Sequence, residues 1–424
     1  MIMFLRVRIL IEQYWKLFRL NFHADSWFFI AQVLVLGIVI AMTRAFALVV
    51  LFEFILCILF LAYGPLRREF LSAIKDPRVF MIMIFWLWVA IAGFWGVAEI
   101  GERVDEWLSW RKLLLVPFCF VLFRDTSVKR ALMLTLIVAC TPYMIFSWLG
   151  SLELVTLDRQ PQHFLENHST QGIMFATATF FACMILLEWD LRWHHRLILA
   201  FLSLGFVSNI FIVLTGNSSY LALLAAVFVL AHRVSARGLL GAGAVGLTVL
   251  ALLFVFENPR TQILKAYGDA VEAKNPDAEL SSLGIRVIMW EHTVKMISER
   301  PLLGTGSGSF KYGYTEQVKD IEGWRSKASN NPHQQYLHIA AEQGLIGLIL
   351  FIGALVVWLV PLRWSSISSF QYCALAILLG CFLNSFFNGH FSSFVEGRLL
   401  WIGLASFFVG ACTSEGSISE RVTS

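Results

Sequence analysis

The residues most suited to chemistry sit together in "NNPHQQYLHIAAEQGLIG", residues 330–347, where a polar stretch runs into an apolar one carrying His333, His338 and Glu342. An imidazole titrates near neutrality and can take a proton from a hydroxyl. His338 and Glu342 are four residues apart, so on a helix they share a face, and the carboxylate can orient the imidazole and raise its basicity. His333 and His338 are five apart, about 140° around a helix, which argues against joint metal ligation. Pro332 suits a first helical turn, so a helix is expected to begin about there. Its N-terminus would place partial positive charge near His333, favouring a bound phosphate.

Phosphate recognition calls for arginine and lysine. The segments expected to lie outside the membrane supply Arg159, Arg260, Lys265, Arg286, Arg300, Lys311 and Arg325, with His163 and His168. Chemistry on that side cannot draw on ATP or nucleotide sugars, so a substrate must arrive activated, for example as a lipid-linked diphosphate. The acidic pairs Asp277/Glu279 and Asp320/Glu322 read as solvated loop residues rather than metal ligands. "GTGSGSF" lacks the lysine of a phosphate loop and reads as a tight turn that lets a preceding helix pack back toward the membrane. Sequence alone fixes no partners for a Ser–His–Asp constellation.

The elements that must position these residues are membrane helices. The chain is 58% hydrophobic and 15% charged, with a mean hydropathy of +0.70. That composition excludes an ordinary soluble domain and predicts an all-α polytopic integral membrane protein. Twelve candidate spans are centred on residues 27–43, 45–64, 79–97, 112–123, 131–149, 170–187, 197–214, 218–231, 238–256, 336–359, 370–387 and 399–412. The fourth is short and carries Pro117, so it is expected to kink or tilt. Connecting segments alternate between basic ("PLRREFLSAIKDPR", "EWDLRWHHR") and longer or more acidic ones, which places both termini in the cytoplasm. Three regions follow: an N-terminal bundle, 1–256; a large outside loop, 257–335; and C-terminal helices with a cytoplasmic tail, 336–424. Residues 1–27 carry Arg6, Arg8, Lys16 and Arg19 among apolar residues and read as a surface-lying amphipathic segment, not a cleavable signal. The seven cysteines fall within or at the ends of apolar segments and read as packing residues. In the loop, Ile285, Ile288, Met289, Thr293, Met296 and Ile297 recur at helical spacing, and Pro301 stops that helix. No basic stripe of nucleic-acid type exists.

Two motifs in this order resemble the O-antigen ligase and polymerase superfamily. His333, Gln334, nine residues and then "GLIG" match its His-[Asn/Ser/Gln]-x9-Gly-x-x-Gly pattern, and "RVIMWEHTVKMISERPLLGTGSGSF" is similar to its Arg-x-x-x-Trp helix followed by a Pro-Leu-Leu-Gly-x-Gly turn. The resemblance implies a GT-C-like, inverting glycosyltransferase in the bacterial inner membrane, with its active site facing the periplasm and no metal or other cofactor. The donor would be undecaprenyl-diphosphate-linked O-antigen and the acceptor a sugar hydroxyl of lipid A–core. Membrane lipids would be partners and nucleic acid would not. Arg286 falls on the motif arginine and would bind the carrier diphosphate. His333 falls on the motif histidine, and His338, paired with Glu342, is the second candidate base. The family often has a Ser-Arg pair before the large loop; here that place reads "LTGNSSYLALL", so Arg159 or Lys265 is expected to supply the second charge. Polymerases of the superfamily often carry Arg-x10-Gly in outside loops, which this chain lacks; a protein-glycosylating transferase differs only in acceptor. A lipid or solute transporter, the alternative of another class, fits the span number but not the few charges at mid-span, where Glu53 and Glu342 are the exceptions.

Overall fold

A computed structural model describes residues 25–155, 164–214, 217–234, 261, 264, 282–320, 329–363 and 366–410. The described residues are helical throughout, with no strand. The expected amphipathic segment up to residue 24, the ninth expected span, part of the large loop, Arg159 and Lys265 lie outside them.

In chain order the helices are α1 Ser26–Ala41, α2 Phe46–Ala62, α3 Gly64–Ala73, α4 Pro77–Ala92, α5 Ile100–Ser109, α6 Leu115–Leu122, α7 Thr126–Ser151, α8 His168–Glu188, α9 Trp193–Ile212 and α10 Asn217–Val234. After the large loop begins come α11 Ser282–Glu299, α12 Phe310–Val318, α13 Gln335–Val356, α14 Ser369–Asn384 and α15 Val395–Phe408. Local sequence explains many of the ends. Asp25, Asp76, Asn167 and Ser368 cap α1, α4, α8 and α14, each accepting backbone N–H groups that would otherwise go unpaired. Pro77 stands at the start of α4, where its missing N–H costs nothing. Among the described residues, five segments are long and apolar enough to cross a membrane: α4 extended through Trp95, and α7, α8, α9 and α13. The α2–α3 pair, bent by 103°, makes a sixth if it is one broken span. Short α6 follows a 3₁₀ turn over Arg111–Leu114 and carries Pro117 in its first turn, which accounts for the short fourth segment.

Helix α8 is the axis of the bundle: 83% of its span is buried, against 28% for peripheral α9. It packs against α7, α9, α10, α14 and α15. The two ends of the bundle differ in chemistry. At one end basic side chains tie helix termini together: Arg78 Nη1 donates to Phe408 O (3.3 Å), Lys129 Nζ to Val409 O (2.6 Å), and Arg124 pairs with Glu69 (2.9 Å). At the other end gather Arg44, the 3₁₀ turn at Arg111, the segment before α8, the start of α13 and the α14–α15 connection. Cys119, Cys140, Cys373 and Cys381 pack inside, whereas Cys57 is exposed on α2.

Candidate active site

The two sequence motifs are one structural object. Helix α13 is broken at Gly344, whose φ of 70° and ψ of −178° only glycine adopts readily. The break leaves carbonyls without helical partners, and the Pro301–Gly308 turn fills it. Thr305 N donates to Ala341 O (2.8 Å) and Gly306 N to Glu342 O (2.8 Å), while Leu345 N donates back to Pro301 O (2.8 Å). Gly304 also has positive φ, and a Cβ there would stand 2.5 Å from Glu342 O. Trp88 and Trp95 lock the joint from the α4 side, donating to Gln343 O (3.2 Å) and Leu303 O (3.0 Å). The glycine-rich turn does pack the loop helix back on the bundle, but by docking into a broken helix. The span expected over 336–359 is present as Gln335–Val356, long and apolar enough to cross a membrane, with its break at Gly344.

The start of α13 also differs from expectation. Gln334 is the N-cap, its side chain accepting from Leu337 N (2.6 Å), so Pro332 and His333 precede the helix. His333 takes a left-handed conformation with φ of 53°. The helical angle between the two histidines therefore does not apply. His333 N donates to Asn331 Oδ1 (2.7 Å), and its Nδ1 shares a hydrogen bond with Asn388 Oδ1 (3.4 Å). Trp290, one turn after Arg286 on α11, donates its Nε1 to Pro332 O (2.9 Å). This bond explains the Arg-x-x-x-Trp spacing, because it holds the Arg286 face of α11 beside His333. Burial pushes the Arg286 guanidinium down from its ordinary value. Burial, then the nearby Arg286 charge, pushes the His333 imidazole below the ordinary 6.5, although the Asn388 bond opposes this. A neutral imidazole beside a guanidinium is the pair that hydroxyl activation and diphosphate binding need.

His338 and Glu342 sit deeper, at 9% and 2% exposure. The first turn of α13 does not face water, since Gln335, Tyr336 and His338 are all buried. His338 Nε2 lies 3.6 Å from Glu342 Oε1, an ion-pair distance longer than a hydrogen bond. Phe310 covers the imidazole edge-on at 5.1 Å. Glu342 has other work: its Oε1 accepts the Phe310 N–H at the start of α12 (3.0 Å), and its Oε2 accepts from Gln343 Nε2 (3.3 Å). A carboxylate at a helix N-terminus is favourable there. Glu106, which accepts from Trp110 Nε1 (2.9 Å), feels both groups; burial, then the Glu342 carboxylate, pushes it up.

Sequence reasoning missed a second polar cluster on the α14–α15 connection. His390 Nδ1 lies 3.2 Å from Glu396 Oε1, and its Nε2 lies 3.2 Å from Ser169 Oγ on α8. Glu396 also accepts from Thr170 Oγ1 (2.6 Å) and Ser393 Oγ (2.5 Å). Lys112 Nζ donates to the carbonyls of Ser392 and Ser393, the latter at 2.6 Å. Gln335 Oε1 accepts from Ser392 N (3.2 Å) and Oγ (3.0 Å). The connection that carries Asn388 to His333 is thereby fixed on three sides. Below it Glu53 accepts from Arg398 Nε (2.8 Å) and Arg111 Nε (3.0 Å), so the mid-span carboxylate noted in the sequence is a counterion. His390 and Glu396 are visible six residues apart in "NGHFSSFVEGR", but nothing local brings Ser169 to them. Among the described residues, no group of three or more histidine, cysteine or carboxylate side chains converges as a metal site requires.

Residues 199–352, from α9 to just past the break in α13, match the O-antigen ligase family model. A Haemophilus influenzae protein described as uncharacterized is 21% identical over 314 residues, 70% of this chain and 75% of that one. A Rickettsia conorii protein provisionally named a polysaccharide ligase is 32% identical over 111 residues, 25% of this chain and 26% of its own. A Rickettsia bellii protein of the same provisional name is 32% identical over 123 residues, 28% of each chain. The chain thus spans about a quarter of the length of these two Rickettsia relatives. The matched region contains both interlocked motifs with Arg286 and His333, and over residues 199–352 the chain is similar to the O-antigen ligase family.

Proposed function

We propose that this protein is an O-antigen ligase of the bacterial inner membrane, with about twelve spans, both termini cytoplasmic and its site facing the periplasm. It transfers a glycan from undecaprenyl diphosphate to a sugar hydroxyl of lipid A–core. The observation that carries this reading is the Trp290–Pro332 bond, which ties the helix of Arg286 to the residue before His333 and brings the two within electrostatic reach. Arg286 holds the carrier diphosphate at the interface, with Arg159 or Lys265 as a second cation. The acceptor oxygen attacks the anomeric carbon from the face opposite the diphosphate, inverting it. The anomeric carbon–oxygen bond breaks, its electron pair leaves on the diphosphate, and the guanidinium neutralises that charge. The acceptor proton passes to His333, which burial and Arg286 keep neutral and able to take it. His338, with Glu342, stands behind Phe310 and acts by positioning the α12–α13 joint rather than by meeting substrate. An apolar groove of about 380 Å³ between α10, α13 and α14, reaching Phe382 beneath Tyr336, supports a seat for the lipid tail.

Reconstitution with undecaprenyl-diphosphate glycan and lipid A–core, read as ligated product on a gel, tests the reading. Arg286→Ala and His333→Ala are expected to abolish product while membrane insertion persists. Full activity in His333→Ala would remove the base, and full activity in Arg286→Ala would remove the diphosphate site. Transport of the lipid-linked glycan without acceptor would point to a transporter.

A further inference from the structure

At the same end of the bundle a cavity of about 460 Å³ opens between the α1–α2 turn, the segment before α8 and the start of α15. Thr43, Arg44, Phe46, Leu165, Glu166 and Phe394 line it. That volume falls in the usual range of small-ligand sites, about 300–1,000 Å³. Its chemistry is mixed. Phe46 and Phe394 lie with ring centroids 5.0 Å apart, and Phe46 is 60% exposed. Arg44 and Glu166 are exposed charged groups beside these rings. Aromatic faces next to planar hydrogen-bonding groups suit a sugar, whose ring offers apolar C–H faces and polar hydroxyl edges.

The walls are preformed. Gln171 Oε1 accepts the N–H groups of Phe164 (2.9 Å) and Leu165 (3.3 Å), and its Nε2 donates to Ser147 Oγ (3.0 Å). Arg44 reaches the Phe164 carbonyl. On the far wall, Phe394 is held under the Arg398 guanidinium at 4.1 Å, and Glu396 is anchored by His390, Thr170 and Ser393. The cavity also communicates with this cluster: burial, then the Glu396 carboxylate, pushes Glu166 up, while Lys112 and His390 pull it down.

The α14–α15 connection separates this cavity from Arg286. Asn388 on one side touches His333, and Phe394 on the other lines the cavity. Five residues of a folded connection lie between them, so one saccharide can bridge the two sides. We propose that this cavity is the acceptor-saccharide subsite, with Phe46 and Phe394 stacking a sugar ring and Arg44 and Glu166 hydrogen-bonding its hydroxyls. The proposal deepens the ligase reading and rests on it.

The test uses the full-length protein in detergent and a deacylated lipid A–core oligosaccharide. Binding is followed by saturation-transfer NMR, and transfer kinetics are measured with the intact acceptor. Phe46→Ala and Glu166→Gln alter exposed side chains, so folding should persist. Each is expected to weaken oligosaccharide binding and raise the acceptor KM roughly tenfold, with kcat and the donor KM unchanged. Arg286→Ala is expected to bind the oligosaccharide as wild type does. Unchanged acceptor KM and binding in both cavity variants would overturn the subsite while leaving the ligase reading intact. Phe46- and Glu166-dependent binding in a wild-type protein that transfers nothing would retain the saccharide site and reject the reaction.

Discussion

His333, the proposed base, stands on a left-handed backbone that few non-glycine residues adopt, and such conformations persist where neighbours over-determine them. Here Asn331 holds its N–H and Asn388 its ring, while Arg286 and His338 are the charged or titratable neighbours that depress its protonation. The sign follows directly: only the neutral ring accepts a proton, so activity is lost as pH falls through the folded-state pKa. The acid limb of kcat/KM against pH is expected below 6.5, and a limb at or above it would contradict the role. His333 and Glu342 should also separate by readout. His333→Ala is expected to cost about 10²–10⁴ in kcat with little change in thermal stability. Glu342→Ala leaves the buried Phe310 N–H without its acceptor and should cost about 1–3 kcal/mol in stability, read as a lower Tm in detergent.

Among the elements, the broken helix α13 and the Pro301–Gly308 turn depend on each other. A Cβ at Gly344 would stand 2.0 Å from Leu302 O, and the residue has positive φ. Gly344→Ala is therefore expected to destabilise the joint by about 3 kcal/mol or more and to lower transfer with it, because α11 and Arg286 are carried by the same turn. A Tm unchanged from wild type would show that the interlock is not needed. The apolar periodicity of α11 was legible: Ile288, Thr293 and Met296 are buried, and Met289 and Ile297 pack on the cluster of Phe310, Tyr314 and Ala341. The break at Gly344 was not, because a glycine inside an apolar helix looks the same whether or not another segment supplies donors to its freed carbonyls.

For the molecule as a whole, a carboxylate and two arginines sit inside the bundle below the site. Glu53 joins α2 to Arg111 and to Arg398, which is 1% exposed. Glu53→Ala would strand that buried guanidinium, with an expected loss of about 3–5 kcal/mol. Glu53→Leu combined with Arg398→Met should recover part of it, and thermal unfolding in nanodiscs measures both. Equal Tm for single and double variants would mean that the pair is uncoupled.

By itself the sequence determined that the chain is helical and membrane-bound, where most helices lie, and that Arg286 and His333 fall on two motifs that resemble one family's. These are local properties: apolar run length, caps and motif spacing are set by neighbours along the chain. Tertiary structure alone decided that His333 stands outside its helix, that His338 is covered by Phe310, and that the two motifs interlock across a broken span. It alone also joined Ser169 to His390, 221 positions away, and Thr170 to Glu396, 226 positions away. The physical reason is that a buried polar group must find a partner wherever the fold presents one, and sequence distance places no limit on which partner that is.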